Sequence, residues 1–338
     1  MWKSASSEHG TVYRAATSNL IVPIDAPLRD RIAPVLTEVT RRNPSRLVQI
    51  ERSERESPDS RRLFARTTAL CHLRPGGGLV CSEQIVVRWS ARSCSLVPSA
   101  VQALLVGDLP VVILAIEPGP RAQWLAAFEG IADLRIADSA TESEPAAMAR
   151  LWTDLPGPRR TALHDLAWAR LGAWRALLAE AFERPEAAEV PPAIQEVTIA
   201  HGGPAPPAGA WLLAGWLASR LGWTPKGAAR GHVRLAGPTR PVTIAFVRDE
   251  EETRHLIRRV RIRSGAPRPF DLSVEHRGHD PVARIEAAAP VHASREATFA
   301  YRDLAGSIVG EIHRHEPNRT FEDAARVAKE MIALWPAP

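Results

Sequence analysis

The chain has 338 residues, 45% hydrophobic and 24% charged, the composition of an ordinary globular protein with room for two domains. Its net charge of +5 comes almost wholly from arginine, since Lys3, Lys226 and Lys329 are the only lysines; with 29 prolines this marks base-composition bias, and no nucleic-acid partner is expected. The most apolar stretch, Val101 to Ile116, is broken by Gly107, Asp108 and Pro110, short of the ~20 residues a membrane helix needs. The start, MWKSASSEHG, lacks the apolar core of a signal peptide, and three cysteines fit a reduced cytoplasmic compartment.

Residues 1–10 are polar and read as frayed. Thr17 to Ile24 reads as a first, central strand. Asp25 and Pro27 mark a helix start, although Pro34 requires the helix to begin near Arg31 or to kink. Arg46 to Ile50 is a second strand, which completes a βαβ unit. Glu51 to Arg62 reads as a charged loop. Leu63 to Leu73 and Leu79 to Trp89 flank Pro75-Gly76-Gly77-Gly78, which is a β-hairpin. Leu96 to Val106 has helical spacing, Val111 to Ile116 is a buried strand, Arg121 to Gly130 a helix and Leu134 to Ala137 a strand. Residues 1–155 therefore predict a Rossmann-like α/β domain with a mixed sheet and an inserted hairpin.

The segment Thr153 to Arg160 (TDLPGPRR) reads as the boundary to a second, α+β domain over 156–338. Thr161 opens a helix running to about Phe182, with Leu163, Leu166, Leu171, Trp174, Leu178 and Phe182 on one face. Ile194 to Ala200 is a strand. Trp211 to Leu221 is a core helix capped by Gly222. Strands follow at 231–235, 242–247, 256–262, 270–276 and 283–286, mainly antiparallel. A last helix begins at Thr320. No repeat is visible.

Chemistry-bearing motifs are scarce. The segment after Val22 reads PIDAPLRD, without the glycines that let a backbone approach a pyrophosphate. Gly76-Gly77-Gly78 precedes no helix and is a hairpin turn. A Walker loop and a G-x-S-x-G elbow are also missing. Cys71, His72 and Cys81 lack the close pairing of a zinc site; buried free thiols are the expected state, a redox-switchable pair or metal ligands the alternatives. His313 and His315 read as a solvated pair. The basic run Arg254 to Arg263 alternates with apolar residues, as in a strand with one wet face. His164, Asp165 and Glu83 are weighed as an acid–base set, but nothing in the sequence gives them a common site; Asp165 reads as a helix-start carboxylate.

Several blocks resemble the OpcA family, assembly and activator proteins of glucose-6-phosphate dehydrogenase. They are Thr17-Ser18-Asn19-Leu20-Ile21-Val22, Arg41-Arg42-Asn43-Pro44-Ser45-Arg46, Cys71-His72 with Cys81-Ser82-Glu83-Gln84-Ile85, and Asp108-Leu109-Pro110-Val111. Ile136-Ala137-Asp138-Ser139, Asp165 to Leu171 and Ala214-Gly215-Trp216-Leu217 follow in order. Asn43 departs from the histidine expected in its block. The resemblance implies a non-catalytic assembly factor or allosteric activator in the oxidative pentose phosphate pathway, with no cofactor of its own and the dehydrogenase as partner. Candidate interface residues are Arg46, Glu83 and Gln84 around the hairpin, and His164, Trp168 and Arg175, which share a side of their expected helix. Trp and Arg are favoured in interface hot spots. The competing readings are a sugar-phosphate- or nucleotide-binding enzyme holding its ligand through Arg46, and a redox sensor using Cys71 and Cys81.

Overall fold

The computed structural model describes residues 12–25, 28–52, 62–73, 78–116, 127–128, 130–153, 161–183, 190–229, 231–250, 256–265, 269–276, 282–288, 293–298, 302–314 and 316–336. Residues 154–160 of the expected boundary segment, most of the expected helix at 121–130, the frayed start at 1–10, His315 and the turn residues Pro75 to Gly77 lie outside them. The chain forms two compact units, each discontinuous in sequence: 1–138 with 156–164 and 302–317, and 139–155 with 165–301 and 318–338.

The first unit is built on a sheet ordered β1-β5-β3-β2-β6-β7-β8, with β4 along β5. These strands are β1 Val12–Arg14, β2 Asn19–Ile24, β3 Arg46–Arg52, β4 Phe64–Leu73, β5 Leu79–Trp89, β6 Val111–Ala115, β7 Leu134–Ala137 and β8 Ala162–Asp165. β2, β3, β5, β6 and β7 pair in parallel, whereas β4 is antiparallel to β5. One face buries Ile21, Val48, Ile50, Ile85, Val87 and Ile113 against Val97 and Val101 of helix α2 (Val97–Gln102) and against Phe128. This is the Rossmann-like α/β architecture expected, hairpin included.

Helix α1 (Arg29–Arg42) joins β2 to β3 and buries Ile32, Leu36 and Val39. Pro34 lies inside it, on the exposed side, where water can meet the carbonyl its ring leaves without a donor. At its end, Glu38 accepts from Arg41 and Arg42, and Arg42 also grips Asp303 at 3.0 and 2.8 Å. Asp303 in turn accepts from Gly306 N at 2.6 Å at the start of α7 (Leu304–Arg314), a helix whose sequence gave no warning. The clamp thus holds two helices of one unit that are remote in sequence.

In the second unit, an eight-stranded sheet runs β10-β11-β12-β9-β13-β14-β15-β16. Its members are β9 Ile194–His201, β10 Thr224–Ala229, β11 His232–Ala236, β12 Pro241–Arg248, β13 Ile257–Ser264, β14 Phe270–His276, β15 Val282–Ala288 and β16 Ala293–Thr298. All pair antiparallel except β9 with β12. Helices α3 (Pro145–Thr153), α4 (Leu166–Arg170), α5 (Gly172–Glu180), α6 (Ala208–Leu221) and α8 (Arg319–Leu334) complete the unit. Trp211 of α6 stacks near Phe246 of β12 at 4.5 Å and meets Trp335, just past α8, edge-on at 5.0 Å. Gly222 closes α6 at φ +68°, the left-handed cap glycine favours.

Two expectations are corrected. Thr161 does not open a long helix: residues 162–165 form β8, and the helix that follows breaks at Leu171 into α4 and α5. Four residues, ALHD, are too few to reveal a period, so a short buried strand reads as helix. Cys71 and Cys81 are not free thiols but a disulfide, because the hairpin register sets them directly opposite, Cα atoms 4.0 Å apart. Cys94 is free.

At Gly215 of α6, a Cβ would lie 2.1 Å from Ala324 O and 3.0 Å from Ala328 N of α8. Both obstacles are backbone, so the helices must separate to admit a methyl group. Gly215→Ala is expected to lose about 3 kcal/mol in urea unfolding, opposite to the gain alanine gives in an open helix. A second expectation concerns acid. Hydrogen bonds from Arg41 and then Arg42 lower the Glu38 pKa from 4.5 to about 2. A carboxylate lowered on folding adds stability above its unfolded pKa and loses that contribution as pH falls through the folded one. The urea midpoint should therefore fall between about pH 4.5 and pH 2, and less steeply in Glu38→Gln.

Candidate functional site

The hairpin is tied to the parallel sheet by polar rungs. Arg46 opens β3; its guanidinium pairs with Glu83 of β5, and its Nη1 donates to Leu104 O at 2.7 Å. The two side chains are 18% and 15% exposed, so the pair is largely shielded from water. Next along the strands, Gln84 Nε2 donates to Gln49 Oε1 at 2.7 Å. Glu51, expected in a loop, instead extends β3. Its carboxylate is 2% exposed and held by Arg29 at 3.0 Å and Arg88 at 3.3 Å. Buried carboxylates persist where cations and donors replace water. Arg46, Glu83 and Gln84 are thus brought together as a register lock.

Arg46 stands at the amino end of β3. Ligands of parallel α/β sheets sit at the carboxyl ends of the strands, so the proposed ligand-holding arginine is at the opposite end and already engaged. Beneath it lies a second polar knot. Asn19, fully buried, donates to Val106 O and Leu109 O and accepts from Val106 N. Asn43 Oδ1 accepts from Thr17 Oγ1 at 3.1 Å and lies 3.2 Å from His313 Nε2, while its amide donates to Ser45.

Beyond the rungs, β4 forms the rim. Among the described residues its one strand neighbour is β5. Phe64 is 50% and Leu73 71% exposed, and Tyr13 of β1 is 51% exposed. An edge strand with exposed large side chains offers backbone donors and acceptors to an added strand and apolar anchors beside them.

The other candidates are elsewhere. His164 is 2% exposed. Its Nε2 lies 2.9 Å from Glu316 O, and its Nδ1 lies 2.9 Å from buried Glu311 Oε2, off the line of a hydrogen bond. It acts as a strut between β8 and α7, not a surface contact. Trp168 is 3% exposed and packs 5.9 Å from Phe321. The Arg175 guanidinium covers its ring at 3.5 Å and donates to its carbonyl at 2.8 Å across the helix break. The expectation that Trp168 faces outward assumed a helix already running from Thr161; residues 162–165 are strand instead, and Trp168 in the short helix that follows is buried. Asp165 caps α4 by accepting from Ala167 N at 2.8 Å, and it also accepts from Trp152 Nε1 at 2.8 Å and Ser139 N at 3.2 Å. Glu83, His164 and Asp165 therefore each have separate partners and form no acid–base set.

The basic run behaves as a strand with one wet face. Arg259, Arg261 and Arg263 of β13 pair with Glu275, Asp271 and Glu196 of the neighbouring strands. The hydrogen bond from Arg261 holds the Asp271 carboxyl below its ordinary pKa. Among the described residues no three His, Cys, Asp or Glu side chains converge as for a metal, and no helix is long and apolar enough to cross a membrane.

Arg46→Met should cost about 1–2 kcal/mol in urea unfolding by removing the guanidinium that pairs with Glu83 and bonds Leu104 O. The pair Arg46→Met with Glu83→Leu should recover part of that loss, since both charges of the pair are then gone; an additive double variant would deny the coupling.

Two family profiles match the chain. One is described as the N-terminal domain of a glucose-6-phosphate dehydrogenase subunit, over residues 36–153, and the other as the C-terminal domain, over 161–325. "Putative OxPP cycle protein OpcA" of Nostoc punctiforme is 30% identical over 196 residues, 56% of this chain and 41% of that protein. The protein of the same name from Synechococcus elongatus is 31% identical over 193 residues, 55% of this chain and 42% of that one. The matched stretch thus spans about two fifths of these relatives' length. Among solved structures, the transcriptional regulator Gal80p of Kluyveromyces lactis aligns at 10% identity and TM-score 0.47, covering 95% of this chain and 93% of that one. An oxidoreductase of Thermotoga maritima aligns at 9% identity and TM-score 0.43, covering 94% and 96%.

Proposed function

The chain belongs to the OpcA family, and on that premise we propose that it is a non-catalytic cytoplasmic partner that binds glucose-6-phosphate dehydrogenase and shifts it toward its active state. The family match over both halves of the chain carries this reading. The first βα connection supports it: Pro23-Ile24-Asp25 follow where a dinucleotide site needs glycine. Substrate, NADP and hydride transfer belong to the dehydrogenase. The partner acts only through a higher affinity for the active conformation or assembly.

The docking surface in this proposal is the outer edge of β4 with Phe64 and Leu73. Arg46, Glu83 and Gln84 serve it from behind by fixing the hairpin. Arg175, Trp168 and His164 contribute through the fold of their own surroundings and not by contact. A second reading rests on the Cys71–Cys81 disulfide, which clips the same hairpin. If redox state is sensed there, Cys81→Ser removes any oxidant dependence of dehydrogenase activation.

The test mixes the protein with the glucose-6-phosphate dehydrogenase of its own organism. It follows NADPH formation against glucose 6-phosphate together with elution on a sizing column. Co-elution with a raised rate or lowered half-saturation is expected. Phe64→Asp with Leu73→Asp should weaken binding by more than ~1 kcal/mol at unchanged melting temperature. Absence of both co-elution and any change in rate would remove the partner reading; binding that ignores the double substitution would remove the hairpin from it.

A further inference from the structure

From Val197 to Arg248 the chain carries no aspartate or glutamate, against 38 in the whole sequence, while Arg220, Lys226, Arg230, Arg234, Arg240 and Arg248 fall in the same stretch. Half of it is the meander β10-β11-β12, whose register separates two faces. Val233, Leu235 and Ile244 turn to the core and are buried. On the other face Gly227, Arg234 and Thr243 lie side by side, and Ala229, His232 and Ala245 form the next row.

Two features place cations here. A β-bulge between Pro225 and Gly227 takes Lys226 out of the ladder and leaves it exposed. At Gly227 a Cβ would lie 3.4 Å from Arg234 Nη2 and 4.0 Å from its Nε, so the exposed Arg234 rests its guanidinium over the one residue of the strand without a side chain. Neither Lys226 nor Arg234 has an ion pair among the described residues. Further along the same sheet face the pattern is the reverse: Arg259, Arg261 and Arg263 each hold a carboxylate. Cations left unpaired beside small side chains attract and orient an anionic surface.

We propose that the outer face of β10-β12 docks an acidic polypeptide segment of a partner protein, its carboxylates meeting Lys226 and Arg234 and its small side chains lying on Ala229 and Ala245. The contact is with the face and not the strand edge. β10 ends the sheet, and a bulge with a lysine on a terminal strand opposes the addition of another strand. A nucleic acid suits the face less well. It gains affinity from many phosphate contacts in a row, whereas the face continues into β9 and β13, where the arginines are already neutralised. The site is remote in sequence from the hairpin and stands whether or not the chain binds a dehydrogenase.

The experiment follows fluorescence anisotropy of a labelled glutamate–alanine repeat peptide titrated with the full chain, beside a lysine–alanine peptide and an oligothymidylate of the same length. The acidic peptide should bind at low salt and weaken as salt is raised, and the basic one should not bind. Lys226→Glu with Arg234→Glu should lower the affinity about tenfold or more at an unaltered melting temperature. Arg31→Glu with Arg66→Glu, exposed arginines of the first unit, makes the same change in net charge and should lower it less than about twofold. Failure of the acidic peptide to bind, or equal losses in the two double variants, would overturn the proposal. So would tighter binding of the oligothymidylate through Lys226 and Arg234, which would make the face a nucleic-acid site.

Discussion

The register of β5 on β3 is the constraint on which the first unit depends. β5 pairs with β3 along one half of its length, with β1 along the other, and with β4 across its whole outer edge. A slip of one residue would drive Ile85 and Val87 out of the core and Gln84 and Val86 into it. Hydrophobic pattern alone resists that slip, and the rungs Arg46–Glu83, Gln49–Gln84 and Glu51–Arg88 make it costlier still, since each would strand a shielded polar group. A carboxylate inside a strand, an anomaly in sequence terms, thereby becomes the device that places the exposed rim.

Much of this was legible because the signals were local. The glycine-rich turn between two apolar runs could only be a hairpin, and the alternation of Arg259, Arg261 and Arg263 with Val260 and Ile262 identified one wet face. The unpredicted parts share a different property: they are decided by distant partners. β8 is short and becomes a strand by joining β7 at the sheet edge. β10 reads TPKGAA, with no strand-favouring run, and is a strand because β11 pairs with it. Helix α7 is held by an aspartate gripped from α1. Whether Cys71 and Cys81 join depended on register, and spacing alone does not give register.

The candidate site was legible to a similar degree. Arg46, Glu83 and Gln84 do cluster, because they lie at matched positions on neighbouring strands. Trp168 and His164 were misplaced because one helix was assumed where a strand, a short helix and a break occur. In their real setting both are buried, which makes their neighbourhood part of the scaffold of each unit. The acid–base candidates likewise resolve into a strut, a helix cap and an ion pair. Among the described residues, the large apolar side chains exposed on the hairpin are Phe64 and Leu73, beside a strand edge of ten residues. That combination suits capture of a protein strand better than small-molecule chemistry.

The most direct measurement is amide hydrogen exchange on the chain alone and mixed with glucose-6-phosphate dehydrogenase, read by peptide. The account predicts new protection over residues 64–73, with 79–89 little changed because those amides are already paired within the sheet. Protection confined to other segments, with 64–73 exchanging as fast as in the free chain, would contradict it.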